Sequence, residues 1–221
     1  MTHDEIRDLI LKEKLIVIFR RVPVDKIGRL AETLVDAGIK FLEVTFDQQA
    51  KTPKKDYAEC IRAIRDAVGE KLLLGAGTVL TADQVQAAYD NGAMYIISPN
   101  TNVDVIKKTR ELNLVSIPGA MTPSEICFAW EHGADIVKLF PADDLGYHYI
   151  MNLRGPLPHI PLLATGGVNP TTIPEFLKCG INGVGTGASI VNRTMLNNND
   201  YEGIKQIAIA HVKALQSVDI P

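Results

Sequence analysis

Short runs rich in Val, Ile and Leu recur along the chain: LIVIF (15–19), FLEVTF (41–46), LLLGAGTV (72–79), MYIISP (94–99), LVSIPGA (114–120), DIVKLFP (135–141), PLLATGG (161–167) and GVGTGASIV (183–191). Continuous apolar runs of this length suit strands buried on both faces. Segments with helical spacing lie between them, such as VDKIGRLAETLVDAG and TADQVQAAYDNG. Such alternation predicts βα units and a parallel sheet. Several predicted helices close on a glycine that leads into the next strand: Gly38, Gly92, Gly133 and Gly180. Glycine there accepts the left-handed conformation that ends a helix. The phrases DAG, DNG, EHG and KCG thus form a weak repeat of roughly 20 to 30 residues, the length of one βα unit of a barrel.

Eight such units fill the chain, which predicts an α/β fold: a single (β/α)8 TIM barrel over residues 1–221 with a helix ahead of the first strand. A doubly wound open sheet would give the same alternation, but no G-x-G-x-x-G follows the first strand. The glycines of GVGTGA (183–188) stand at other offsets and come late in the chain.

Composition narrows the function. Of 221 residues 46% are hydrophobic and 22% charged, as in an ordinary globular domain. The net charge is -3, and Lys and Arg are dispersed, so no basic stripe suits nucleic acid. The N-terminus, MTHDEIRDLILKEKLIVIF, mixes charges with apolar residues at helical spacing, unlike a signal peptide or a membrane span. A cytoplasmic chain without a membrane partner is expected. Cys60, Cys127 and Cys179 are far apart and lack C-x-x-C spacing, and the five histidines form no H-x-x-x-H pair. Neither a disulfide framework nor a metal or other cofactor is expected.

Polar residues inside apolar runs then need a reason. Lys138 in DIVKLFP stands among Ile136, Val137, Leu139 and Phe140, on a strand with no solvent-facing edge in a closed barrel. Burial disfavours an ammonium and leaves a neutral amine able to attack a carbonyl. A lysine that snorkels to solvent, or pairs with Glu43 structurally, is the competing reading. Glu43 in FLEVTF is similarly enclosed; near a forming imine its carboxyl would shuttle protons, and otherwise it is a core ion-pair partner. Arg20 ends the first strand, Thr78 lies in GAGTVL and Thr165 in LLATGG; a guanidinium and hydroxyls at a barrel mouth suit a carboxylate. Gly166, Gly167, Gly185 and Gly187 end the seventh and eighth strands, where barrels bind phosphate with backbone amides or simply make tight turns.

With these residues in view, the chain resembles the 2-keto-3-deoxy-6-phosphogluconate and 4-hydroxy-2-oxoglutarate aldolases, together with 6-phosphogalactonate aldolases. The resemblance runs from LIVIFR to GASIV and rests on LEVTF, GAGTVL, ISPN, IPGAMTPSE, VKLFPA and TGGVNP, in the family's order and spacing. It implies a Schiff-base aldolase acting on a small keto acid, releasing pyruvate and glyceraldehyde 3-phosphate, with glyoxylate as the second product in the hydroxyoxoglutarate alternative. It implies Lys138 as the imine former and Glu43 as acid/base. Thr78 would meet the pyruvyl portion beside Lys138, and Pro99 and Phe140 would wall the pocket. Gly166, Gly167 and Gly187 would face the phosphate, in a homotrimer. Two positions depart from the family pattern. Asp47 stands where gluconate-type members often carry a carboxylate-binding arginine, which makes Arg20 the expected substitute. Ala188 stands at the phosphate-binding serine, with Ser189 one residue late. A metal-dependent pyruvate aldolase, a phosphosugar epimerase and a barrel that only binds an anionic metabolite remain rivals.

Overall fold

A computed structural model describes residues 1–218. Helix α1 (His3–Glu13) precedes strand β1 (Leu15–Phe19), and the chain then alternates: α2 (Val24–Asp36), β2 (Phe41–Thr45), α3 (Pro53–Val68), β3 (Leu73–Gly77), α4 (Ala82–Asp90), β4 (Tyr95–Ile97), α5 (Val103–Glu111) and β5 (Val115–Ile117). There follow β6 (Gly119–Ala120), α6 (Pro123–Glu131), β7 (Val137–Leu139), α7 (Ala142–Arg154), β8 (Leu162–Thr165), α8 (Ile173–Lys178), β9 (Gly183–Thr186), α9 (Arg193–Asn197) and α10 (Tyr201–Gln216). Every strand pairing is parallel, in the order β5-β4-β3-β2-β1-β9-β8-β7-β6.

The two ends of that order are halves of the fifth predicted strand. Pro118 separates β5 from β6 because it has no N–H for the ladder, yet its carbonyl still accepts from Lys138 N at 2.9 Å. The ring therefore closes through one continuous chain segment, and the nine strands form an eight-membered barrel. The predicted runs are longer than the strands because their last residues leave the ladder for the mouth: 183–191 shortens to Gly183–Thr186 and 72–79 to Leu73–Gly77. The helix-ending glycines take the expected conformation, with φ of 86° at Gly38, 80° at Gly92, 101° at Gly133 and 87° at Gly180.

Alternate strand residues face opposite ways. Outward residues such as Val17, Leu42, Leu74 and Val184 join the surrounding helices in one core, while Ile16, Phe41, Tyr95, Ile97, Val115, Ile117, Ile136 and Leu163 fill the barrel. Helix α1 starts in a capping box of Thr2 and Glu5 and packs Ile6 and Ile10 under that inner cluster. This end of the barrel is closed by apolar packing, which leaves the opposite, C-terminal mouth for chemistry.

Candidate active site

Counting inward from the plug, Phe41, Glu43 and Thr45 alternate up β2, and Ile136, Lys138 and Phe140 do so on β7 and its extension. Lys138 is 5% exposed and Glu43 is 2% exposed. The lysine therefore does not snorkel into solvent; its Nζ lies 4.5 Å from the centre of the Phe140 ring. Nor do the two groups form a structural ion pair, because no Glu43 oxygen comes within 4.0 Å of Nζ. They act on one another at longer range. Burial pushes the Glu43 carboxyl above its usual value, opposed by the charges of Lys138 and then Arg20. Burial pushes the Lys138 amine below its usual value; Glu43 opposes that and Arg20 adds to it. The result is a lysine biased toward the free amine and a carboxyl biased toward the proton.

Two clefts open above them. One, of about 290 Å³, is lined by Arg20, Arg21, Thr45, Asp47, Thr78 and Arg193. Thr78 is held at the mouth with φ 54°, where its carbonyl accepts from Gln48 Nε2 at 2.7 Å. Among the described residues neither Arg20 nor Arg193 has an ion-pair partner, so both guanidinium groups are available to an anion. The other cleft, of about 460 Å³, is lined by Pro99, Gly119, Met121, Phe128 and Phe140 among others, so Pro99 and Phe140 do share one wall.

Thr165 closes β8, 9% exposed, and a Cβ on Gly185 would lie 2.9 Å from its Oγ1. Gly166 and Gly167 follow with φ of 106° and 66°. The side chain of Asp143 packs against this turn, its Oδ1 2.6 Å from where a Gly166 Cβ would stand. Gly187 sits over β1, its absent Cβ 3.1 Å from the Ile18 carbonyl. Ser189 is drawn elsewhere: its hydroxyl is 2.9 Å from His211 Nε2, and His211 Nδ1 is 2.8 Å from the Ile207 carbonyl. Since Nδ1 must donate to that carbonyl, Nε2 accepts and Ser189 is the donor. Ser189 thus fastens α10 to the barrel, and its hydroxyl is committed away from the mouth.

Sequence reasoning missed Arg193 and the pair Gly75 and Gly77, and saw only part of the role of Asp47. Arg193 sits in a polar stretch with no periodic signal. Gly75 and Gly77 were legible as a G-x-G at strand spacing, which bares the inner face of β3; a Cβ on Gly77 would fall 1.5 Å from Glu43 Oε1. Asp47 was read only as a lost arginine, yet it forms a two-point contact with Arg21 and its carboxyl is held below the usual range chiefly by that hydrogen bond. Among the described residues no three His, Cys, Asp or Glu side chains converge as a metal site would require, and no helix is long and apolar enough to cross a membrane.

A parallel barrel with a buried lysine and carboxylate beneath an arginine-lined mouth has the form of a barrel enzyme whose site lies at the C-terminal mouth. The chain belongs to the KDPG and KHG aldolase family, whose model matches residues 6–207. It is 33% identical over 204 residues to the 2-dehydro-3-deoxy-6-phosphogalactonate aldolase of Escherichia coli K12, covering 92% of this chain and 95% of that one. It is 32% identical over 213 residues to the 2-dehydro-3-deoxy-phosphogluconate aldolase of Haemophilus influenzae, covering 93% and 94%. A solved KDPG aldolase from Legionella pneumophila, with pyruvate captured as a covalent carbinolamine, superposes with a TM-score of 0.79 at 26% identity, covering 89% of this chain and 93% of the other. The protein is therefore an aldolase, and so a lyase.

Proposed function

We propose that this chain is a class I aldolase that cleaves a 2-keto-3-deoxy-6-phospho sugar acid of the gluconate or galactonate type to pyruvate and glyceraldehyde 3-phosphate. The observation that carries this is the pair Lys138 and Glu43, both buried, both facing inward, and each within the other's electrostatic reach. The Lys138 amine adds to the C2 ketone to give a carbinolamine, which loses water to a protonated imine. The Glu43 carboxylate takes the proton of the C4 hydroxyl as the C3–C4 bond breaks, and the bonding electrons move onto the imine nitrogen. The aldehyde leaves, Glu43 returns the proton to C3 of the enamine, and water hydrolyses the imine to free pyruvate. Arg20 and Thr78 hold the C1 carboxylate, Pro99 and Phe140 bound the carbon chain, and the amides of Gly166, Gly167 and Gly187 face the phosphate. Both named relatives act on phosphorylated acids, which supports the phosphate.

The second reading is 4-hydroxy-2-oxoglutarate, giving pyruvate and glyoxylate. Arg193 favours it, since a second free guanidinium beside Arg20 suits a second carboxylate. Family likeness supports a cytoplasmic homotrimer as the working form. Borohydride with pyruvate is expected to leave a reduced adduct on the peptide carrying Lys138 and none in Lys138→Ala; turnover surviving in Lys138→Ala refutes the mechanism. Pyruvate release measured across phosphorylated and unphosphorylated keto acids assigns the substrate.

A further inference from the structure

Two polar groups inside the barrel have no hydrogen-bond partner among the described residues: the hydroxyl of Tyr95 and Oε2 of Glu43. Tyr95 is 0% exposed. A buried polar atom left unpaired is costly, and two in one chamber call for a common cause. The ladder sets them level, because Glu43 pairs with Gly75 and Gly75 with Tyr95. The two side chains thus enter the barrel at one height from β2 and β4, on either side of β3.

Strand β3 offers no side chain between them. A Cβ on Gly75 would lie 2.2 Å from the Tyr95 ring, and one on Gly77 1.5 Å from Glu43 Oε1. Tyr95 therefore lies across the bare face of Gly75, and the Glu43 carboxyl leans across that of Gly77, two residues or about 7 Å further up the strand. The Glu43 charge reaches the phenol, adding to the burial that holds the phenol proton in place. That phenol is a fixed donor. A phenylalanine would fill the same volume and keep the edge-on contact with Phe41, whose ring centre is 5.8 Å away, so packing alone gives no reason for the hydroxyl.

We propose that Tyr95 is a positioning residue for Glu43, its phenol donating through one water to the carboxylate. The water has a donor on one side and an acceptor on the other, as a buried water needs. The inference rests on the reading of Glu43 as the acid/base. A hydrogen bond to the charged carboxylate favours that form and partly offsets its burial. The other charged groups that act on Glu43 are Lys138 from β7 and Arg20 at the end of β1; Tyr57 of α3, whose hydroxyl is also unpartnered, lies in the core outside the barrel and feels the Glu43 charge only at longer range, and β3 contributes none.

The test is Tyr95→Phe, read as the pH dependence of kcat/KM for pyruvate release. Loss of the donor is expected to move the acid limb up by about one pH unit, so that activity on that limb falls about tenfold. In Glu43→Gln, adding Tyr95→Phe is expected to move nothing in the residual activity. Superimposable acid limbs for wild type and Tyr95→Phe overturn the proposal, as does an equal shift in the Glu43→Gln background. Pyruvate trapping by borohydride on the unaltered protein separates the two levels of inference. No adduct on Lys138 removes the Schiff-base reading and this inference with it, whereas an adduct with an unmoved limb removes only the role of Tyr95.

Discussion

Arg21 grips Asp47 at two points, Nε to Oδ2 at 2.9 Å and Nη2 to Oδ1 at 2.9 Å. The Asp47 carboxylate is thereby neutralised by the residue next to Arg20, and the cleft keeps the charges of Arg20 and Arg193. The fork is solvated, with 48% and 30% of its side chains exposed, so it contributes little to stability. Asp47→Asn is expected to leave the midpoint of denaturant titration nearly unchanged and kcat within about twofold of wild type.

The free guanidinium groups carry a different expectation. If Arg20 holds the substrate carboxylate as proposed, Arg20→Ala removes a charge-assisted contact and is expected to raise KM about tenfold or more. Arg193→Ala is expected to raise KM less for a monocarboxylate than for 4-hydroxy-2-oxoglutarate. Equal effects on both substrates, measured as steady-state KM, would place Arg193 at the keto-acid end alone.

Ser189, one residue past the position where the family resemblance implies a phosphate-binding serine, gives its hydroxyl to His211. Burial pushes His211 below its ordinary value, so the ring is a neutral acceptor that needs that donor. Ser189→Ala is expected to cost about 1 kcal/mol of stability, seen as a lower melting temperature, with KM for a phosphorylated substrate unchanged.

How far the sequence revealed all this depended on whether a residue broke a pattern. Lys138 and Glu43 interrupt apolar runs, and the helix-ending glycines recur at one offset, so the barrel and its two buried, inward-facing charged residues were both legible. Pro118 lay in plain view, yet the split it causes between β5 and β6 depends on which N–H the ladder needs. Ser189 sits in the part of the predicted run 183–191 that leaves the ladder, and Arg193 in the polar stretch after it, where only the folded chain decides that one turns to a histidine on α10 and the other faces the mouth. The value of Gly77 was hidden for another reason: what it permits is the position of a side chain on the neighbouring strand.

Burial that tunes Glu43 also costs stability, and the sign can be followed with pH. Its carboxyl is raised in the folded state, so the folded chain holds that proton to higher pH than the unfolded chain does. The resulting penalty is absent below the unfolded value near 4.5, grows as pH rises toward the folded value, and is complete above it. Glu43→Gln, which stays neutral, is expected to be the more stable protein at pH 8 by about 1–3 kcal/mol. That advantage should fade as the pH is lowered through the carboxylate range. Its pyruvate release should fall about a hundredfold or more, the usual contribution of a proton-transfer group.

Gly77 provides the sharpest test of the site's geometry. An alanine methyl would occupy space 1.5 Å from Glu43 Oε1, and the clash cannot be relieved along the ladder, where Gly77 pairs with Thr45. The carboxyl must swing away instead, while Lys138 on the far wall keeps its surroundings. Gly77→Ala is therefore expected to retain the borohydride-trapped pyruvate adduct and yet to lose about a hundredfold in cleavage, as removal of a general acid/base does. If trapping and cleavage fell together, the methyl would be disturbing the lysine wall as well, and the division of labour between Lys138 and Glu43 would have to be redrawn.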